Sequence, residues 1–210
     1  MEAWAVVVAA GSGSRFGAPK QFADLAGRPV LEWSLDAARH ACTGVVLVLP
    51  PDTDGSFTAD VAVSGGATRS ASVRAGLDAV PESATVIAVH DAARPLAPVA
   101  LWRAVIDAVD AGADAAIPAA PVTDTVKEVA ANGHLVTLDR SRLVAVQTPQ
   151  AFRADVLRRV HRGAAEATDD AALVEAAGGS VRLVDWPGHN LKITSPLDLV
   201  VAAALLENAR

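Results

Sequence analysis

The chain has 210 residues, is 51% hydrophobic with only 4% aromatics, and carries a net charge of −6. That length suits one domain with a small excursion and allows a sizeable core. The net negative charge, without a basic stripe, argues against nucleic-acid binding, and no apolar run is long enough to cross a bilayer. One cysteine, Cys42, excludes an intramolecular disulfide and a cysteine-based metal cluster. The first residues show no basic region and no cleavage site, so the expectation is a cytoplasmic protein without a signal peptide.

In chain order, Trp4–Ala9 is a continuous apolar run of the kind buried on both faces of a sheet. A Gly/Ser-rich loop, Gly11–Gly17, follows it. A helix is expected to open at Pro29, with Leu31, Leu35, Ala38 and Cys42 on its buried face. Val45–Leu49 reads as a buried strand and Asp60–Val63 as a short one. Thr68–Val80 reads as a helix, Thr85–Val89 as a strand, Pro98–Ala111 as a helix and Asp114–Ala119 as a strand. Strands alternating with helices imply a mostly parallel sheet covered on both faces. The alternation then breaks. Val126–Ala130 and Leu135–Thr137 flank Asn132-Gly133, a strong hairpin signal. The stretch at about 121–143 is therefore expected to project as a β-arm. Such a hairpin is marginal alone, so it is expected to pack against something, such as a second subunit. Val144–Gln147 returns to the core, followed by helices Ala154–Arg162 and Asp169–Ala177, strand Val181–Val184 and a short extended Leu191–Ile193. A last helix begins at Ser195-Pro196, with Asp198 at its third position.

Three motifs carry candidate chemistry. In Ala9-Ala10-Gly11-Ser12-Gly13-Ser14-Arg15-Phe16-Gly17, just after the first strand, glycines let backbone N–H groups approach phosphate oxygens, and Arg15 and Lys20 add cations. No Gly-Lys-Ser/Thr closes it, so it is not a P-loop, and its glycine spacing is poor for a dinucleotide fingerprint. A plain surface turn is the competing reading. Gly65-Gly66-Ala67-Thr68-Arg69-Ser70-Ala71-Ser72 opens a helix; either a base or ribose edge is read there, or the stretch is a turn capped by Thr68 or Ser70. His90-Asp91-Ala92-Ala93-Arg94-Pro95 ends a strand. Asp91 suits Mg²⁺ or a ribose hydroxyl and Arg94 a phosphate, or the two form a structural pair. His90 fits a hydrogen-bonded core position better than a catalytic one. Cys42 fits a buried small hydrophobe.

Taken together, AAGSGSRFG, PKQF, GGATRSASV, HDAARP, PVTDTVK, VQTPQ, TDDAALVEAAGG and NLKIT closely resemble, in order, the 2-C-methyl-D-erythritol 4-phosphate cytidylyltransferases of the non-mevalonate isoprenoid pathway. The resemblance implies an α/β, Rossmann-like nucleotidyltransferase fold with a β-arm, homodimerisation through that arm, and Mg²⁺ or another divalent cation. It implies that CTP and a sugar-alcohol phosphate are the substrates. By the same resemblance Arg15, Lys20 and Lys192 are the catalytic cations, and Ala9, Ala10, Gly11, Ser12, Gly13 and Ser14 hold the triphosphate. Gly66 and Ser72 hold the cytosine, while Asp91, Ala92 and Arg94 contact nucleotide and sugar phosphate. Thr125, Thr148, Thr168 and Arg140, the last from a partner subunit, reach the second substrate. Two positions depart from the family: Val8 replaces its usual Pro, and Ala67 replaces an Asp common after the Gly-Gly pair. A ribitol 5-phosphate cytidylyltransferase shares the motif set, and a catalytically silent nucleotide-binding module would share the fold.

Overall fold

A computed structural model describes residues 1–13, 16–53, 57–163 and 166–208. Its central strand is β1 (Ala3–Val8), which pairs in parallel with β4 (Gly44–Leu49) on one side and β6 (Val86–Asp91) on the other. All six residues of β4 are buried, as a strand covered on both faces requires. β5 (Val61–Ser64) extends the sheet beyond β4. Beyond β6 come β11 (Gln150–Arg153) and then β7 (Ala115–Pro121), both paired antiparallel. β10 (Val144–Val146) and β12 (Val181–Asp185) also pair with β7, antiparallel and parallel respectively. The eight-stranded order is β10-β7-β11-β6-β1-β4-β5, with β12 on β7.

Alternate residues of β1 point to opposite faces, and two cores follow. Ala5 and Val7 pack with Leu31, Leu35 and Ala38 of α1 (Val30–Ala41) and with Leu101, Trp102 and Val105 of α3 (Val99–Asp110). Val6 packs on the other face with Val73 and Leu77 of α2 (Arg69–Asp78), Leu157 of α4 (Ala154–Val160) and Val174 of α5 (Asp170–Ala176). A third, smaller core joins α6 (Pro196–Asn208) to the hairpin β2 (Asp24–Leu25) and β3 (Arg28–Pro29) through Leu25, Val30, Ile193 and Ala202. This last core brings the segment after β12 back beside the loop that follows β1. No helix of the described residues is long and apolar enough to cross a membrane.

The expected elements form with boundaries moved by a residue or two, and the exceptions have physical causes. β11 has no strand signal in the sequence; its four residues are a strand because β6 and β7 offer edges on either side. The β2–β3 hairpin is likewise an addition to the expected elements; Ala26 and Gly27 turn it with positive φ, and the Asp24 carboxylate accepts the Gly27 N–H. Leu191–Ile193 forms no strand, although the Ile193 N–H donates to the Ala93 carbonyl at 2.8 Å. Pro29 caps α1 rather than sitting within it. Cys42 is half-buried rather than fully buried, and burial pushes its thiol up to about 12. The arm is present as β8 (Lys127–Val129) paired with β9 (Leu135–Thr137), and it leaves Val129, Leu135 and Val136 exposed by 69%, 62% and 51%.

α2 lies close on the sheet at Gly76, where a Cβ would come within 2.4 Å of Val6 Cγ1 and 3.0 Å of Val48 Cγ2. Gly76→Ala is therefore expected to destabilise the protein by about 1–2 kcal/mol through overpacking, although alanine is the better helix former by about 1 kcal/mol. Urea unfolding of the two proteins checks this, and an unchanged or higher midpoint contradicts it.

Candidate active site

The carboxyl ends of β1 and β6 and the start of α2 surround a cavity of about 430 Å³. Its floor and rim include Ala9, Ala10, Gly11, Ser12 and Gly13 from the first loop. Gly13 has φ +68°, and a Cβ there would lie 1.9 Å from the Ala18 carbonyl oxygen, so the loop needs glycine at this point. Ser14, assigned to the triphosphate above, and Arg15, assigned as a catalytic cation, lie outside the described residues. Lys20 stands in the 3-10 turn Lys20–Phe22, and its Nζ donates to the Ile193 carbonyl at 2.6 Å. Buried Gln21 donates through Nε2 to the Gly11 carbonyl at 3.1 Å and so ties this turn to the loop.

The second motif supplies the opposite wall. Thr68 caps α2, its Oγ1 accepting the Ala71 N–H at 3.0 Å. Ser72 Oγ accepts the Gly66 N–H at 3.2 Å and donates to the Thr68 carbonyl at 2.9 Å, which fixes the Gly-Gly turn on the helix. A side chain at Gly65 or Gly66 would strike Ala10 or Ala71. Ala67 also lines the cavity and presents only a methyl group there.

Asp91 closes β6 and faces two cations. Its Oδ1 accepts from Arg69 Nε at 3.2 Å and its Oδ2 from Lys192 Nζ at 2.6 Å. Burial pushes this carboxyl up, but Arg69 and Lys192 outweigh burial and hold it well below the usual carboxylate range. Arg69 also donates through Nη1 to Asp170 Oδ2 at 2.9 Å. Burial works against its charge, and the attraction of Asp170 and Asp91 more than reverses that, so its pKa rises. Lys192 and Lys20 thus meet at one cavity from opposite ends of the chain.

Arg69, Asp91 and Lys192 also form the wall of a second cavity, of about 450 Å³, whose lining includes Arg94, Thr148 and Thr168. Arg94 is not ion-paired with Asp91. Its Nη1 donates to the Asn190 carbonyl at 2.7 Å and its Nη2 to that of Val146 at 3.4 Å, while its buried Nε has no hydrogen-bond partner among the described residues. Burial lowers its pKa, against the pull of Asp91. A partly buried cation held by carbonyls retains charge for an incoming anion.

His90, wholly buried against the Trp102 ring, serves structure as expected. Its Nε2–H donates to the Arg94 carbonyl at 3.2 Å, and its Nδ1 accepts from Thr148 Oγ1 at 3.1 Å. Thr148 Oγ1 in turn accepts the Asp91 N–H at 3.0 Å. Burial, with help from Arg94 and Lys192, drops the His90 pKa to about 3.

Two predicted contacts do not join this cluster. Thr125 and Arg140 lie on the arm and line neither cavity of this chain; the Arg140 guanidinium instead donates to the Thr123 carbonyl. Conversely, Arg69 stands in its sequence motif with no role assigned to it. Its signal is only an arginine at a helix start, and its partner Asp170 is 101 residues away.

Two adjoining cavities at the carboxyl ends of a mostly parallel sheet, one cradled by glycine backbone and one holding an arginine without a carboxylate partner, belong to an α/β nucleotidyltransferase. The same architecture occurs in the solved 2-C-methyl-D-erythritol 4-phosphate cytidylyltransferase of Thermus thermophilus, with a TM-score of 0.83 and 38% identity over 96% of this chain and 98% of that one. The 4-diphosphocytidyl-2C-methyl-D-erythritol synthase of Anaerococcus prevotii also gives 0.83, at 28% identity over 98% of both chains. Among curated relatives, the 2-C-methyl-D-erythritol 4-phosphate cytidylyltransferase of Streptomyces coelicolor is 46% identical over 98% of this chain and 85% of its own. That of Rubrobacter xylanophilus is 44% identical over 96% of this chain and 94% of its own. The profile of the same family matches residues 3–208. This chain belongs to the 2-C-methyl-D-erythritol 4-phosphate cytidylyltransferase family.

His90 yields a stability prediction. Its folded pKa of about 3 lies below the unfolded value of 6.5, so the unfolded chain takes up a proton first as pH falls. Stability is then full above pH 6.5 and declines below it. From this residue the protein should lose about 2 kcal/mol of unfolding free energy between pH 7 and pH 5. His90→Gln should flatten that slope; guanidinium titrations at both pH values read it, and identical slopes in the two proteins refute the assignment.

Proposed function

We propose that this enzyme transfers the cytidylyl group of CTP to 2-C-methyl-D-erythritol 4-phosphate, releasing pyrophosphate, in a cytoplasmic setting. The observation that carries the reading is the shared wall: Arg69, Asp91 and Lys192 line both cavities. A nucleotide in the glycine-lined cavity and a phosphate beside Arg94 and Thr148 would meet across it. The acceptor phosphate is already anionic, so no strong general base is needed. Its oxygen forms a bond to the α-phosphorus as the bond to the bridging oxygen breaks, and pyrophosphate leaves with that electron pair. Catalysis is then positioning and charge stabilisation.

On this reading Lys20, Lys192 and Arg15 stabilise the charge that grows on the α-phosphoryl and bridging oxygens. Gly66 and Ser72 hold the cytosine, with backbone groups reading its edge in the absence of a carboxylate at Ala67. Arg94, Thr148 and Thr168 hold the sugar phosphate. A divalent cation fits here only in company with the nucleotide. Among the described residues no group of three potential ligands could hold a metal, and Asp91 is the one carboxylate at the nucleotide cavity. Magnesium keeps few protein ligands and takes the rest from phosphates and water. Bound there, it would neutralise triphosphate charge. Thr125 and Arg140 contribute on this reading from the arm of a second copy, whose exposed Val129, Leu135 and Val136 supply apolar area for the contact.

Pyrophosphate release with CTP, Mg²⁺ and a panel of sugar phosphates tests the assignment, and preference for ribitol 5-phosphate would move it to the sister activity. Lys20→Ala should lower turnover on the order of 10²–10³-fold with the fold intact by circular dichroism; near-normal turnover removes Lys20 from the reaction. Arg140→Ala should raise KM for the sugar phosphate far more than KM for CTP, and equal effects on both would contradict its role.

A further inference from the structure

Behind the shared wall, the charges continue into the protein. Lys192 reaches Asp91 at 2.6 Å, Asp91 reaches Arg69 at 3.2 Å, Arg69 reaches Asp170 at 2.9 Å, and Asp170 reaches His161 at 2.9 Å. Signs alternate along the first four. The first three residues line the cavities; Asp170 and His161 line neither of them. Asp170 begins α5 and His161 ends α4, and the two are 1% and 4% exposed.

A carboxylate this deeply buried needs a structural reason, and capping α5 is not it. Asp169 already caps that helix, its Oδ1 accepting the Ala172 N–H at 3.0 Å. Both oxygens of Asp170 are instead committed sideways, Oδ2 to Arg69 and Oδ1 to His161. Because a carboxylate only accepts, His161 Nε2 must carry the proton that joins them. Its Nδ1 is buried without a partner among the described residues, so this ring makes a single directed hydrogen bond.

Arg69 is thereby gripped at two nitrogens, Nε by Asp91 and Nη1 by Asp170, while no hydrogen bond of Nη2 occurs among the described residues. An arginine side chain loses rotamer entropy when it is held in place, and two carboxylates at fixed points hold its plane. With Asp170 neutralised, only a weaker neutral hydrogen bond would oppose the guanidinium turning to take both oxygens of Asp91 in the favoured fork. It would then compete with Lys192 for Oδ2.

We propose that Asp170, oriented by His161, is a positioning residue for cytidylyl transfer: it fixes Arg69 in the wall between the two cavities and so sets where Asp91 holds Lys192. The proposal rests on the reaction assigned above. Asp170→Asn keeps the volume and removes the charge. It is expected to lower kcat at least tenfold, counted per CTP-binding site, and by more than KM rises for either substrate. A merely structural role would lower the number of binding sites and leave the turnover of each unchanged. His161→Gln, which retains a donor near the Nε2 position, should stay within threefold of the parent, whereas His161→Leu should lose fivefold or more. Turnover per site within threefold of the parent in Asp170→Asn, or equal loss in both His161 variants, overturns the proposal. A parent enzyme inert with CTP and methylerythritol phosphate would instead sink the assigned reaction. The Arg69 Nε–H resonance then still decides the anchoring: it should be sharp in the parent and exchange-broadened in Asp170→Asn, and identical spectra overturn the proposal.

Discussion

The Asp91 carboxylate, clamped between Arg69 and Lys192, is the interaction on which the site depends. It stands at the end of a central strand, where the sheet fixes its backbone through β1 and the Thr148 hydroxyl accepts its N–H. From there it gathers groups from three distant parts of the chain. Lys192 arrives because the third core packs Ile193 against Leu25 and α6. Arg69 arrives because the Gly65-Gly66 turn, pinned by Ser72, starts α2 at that height. The same small core explains Lys20, whose ammonium rests on the Ile193 carbonyl. A hydrophobic contact therefore sets the distance between two cations that line one cavity.

Charge in this region is balanced by the backbone as much as by side chains. Arg69 lies between two acids, and Lys192 is matched by Asp91. Arg94 differs, since carbonyl oxygens of Asn190 and Val146 hold it in place and leave its full charge uncompensated by an ion pair. A cation set in this way attracts an anion without having to release a carboxylate first. The chain can carry an overall charge of −6 and still present a locally positive pocket to anionic substrates.

Much of this was legible in the linear chain, and the limits are physical. The apolar runs of β1, β4 and β6 announced themselves because each is buried on both faces. The glycine loops and the His-Asp-Ala-Ala-Arg stretch were visible because they interrupt such runs at strand ends. β11 was not visible, for Gln150–Arg153 becomes a strand only when β6 and β7 flank it. The Arg69–Asp170 pair was hidden as well. An aspartate at the first turn of a helix reads as a cap, and no local pattern distinguishes a cap from a partner 101 residues away. The closeness of Arg94 and Asp91 in sequence suggests a structural pair, and the fold sends the two side chains to different partners.

The locked imidazole of His90 has a consequence for how acidity governs the reaction. Its one tautomer is committed at both nitrogens, and the described residues lining the two cavities include no histidine or cysteine. Asp91, held ionised by its cations, stays charged down to strong acid. The acceptor itself carries a group that titrates in this range, since a phosphate monoester loses its second proton at about pH 6. The ionisation of the metabolite would then contribute to the acid limb of turnover.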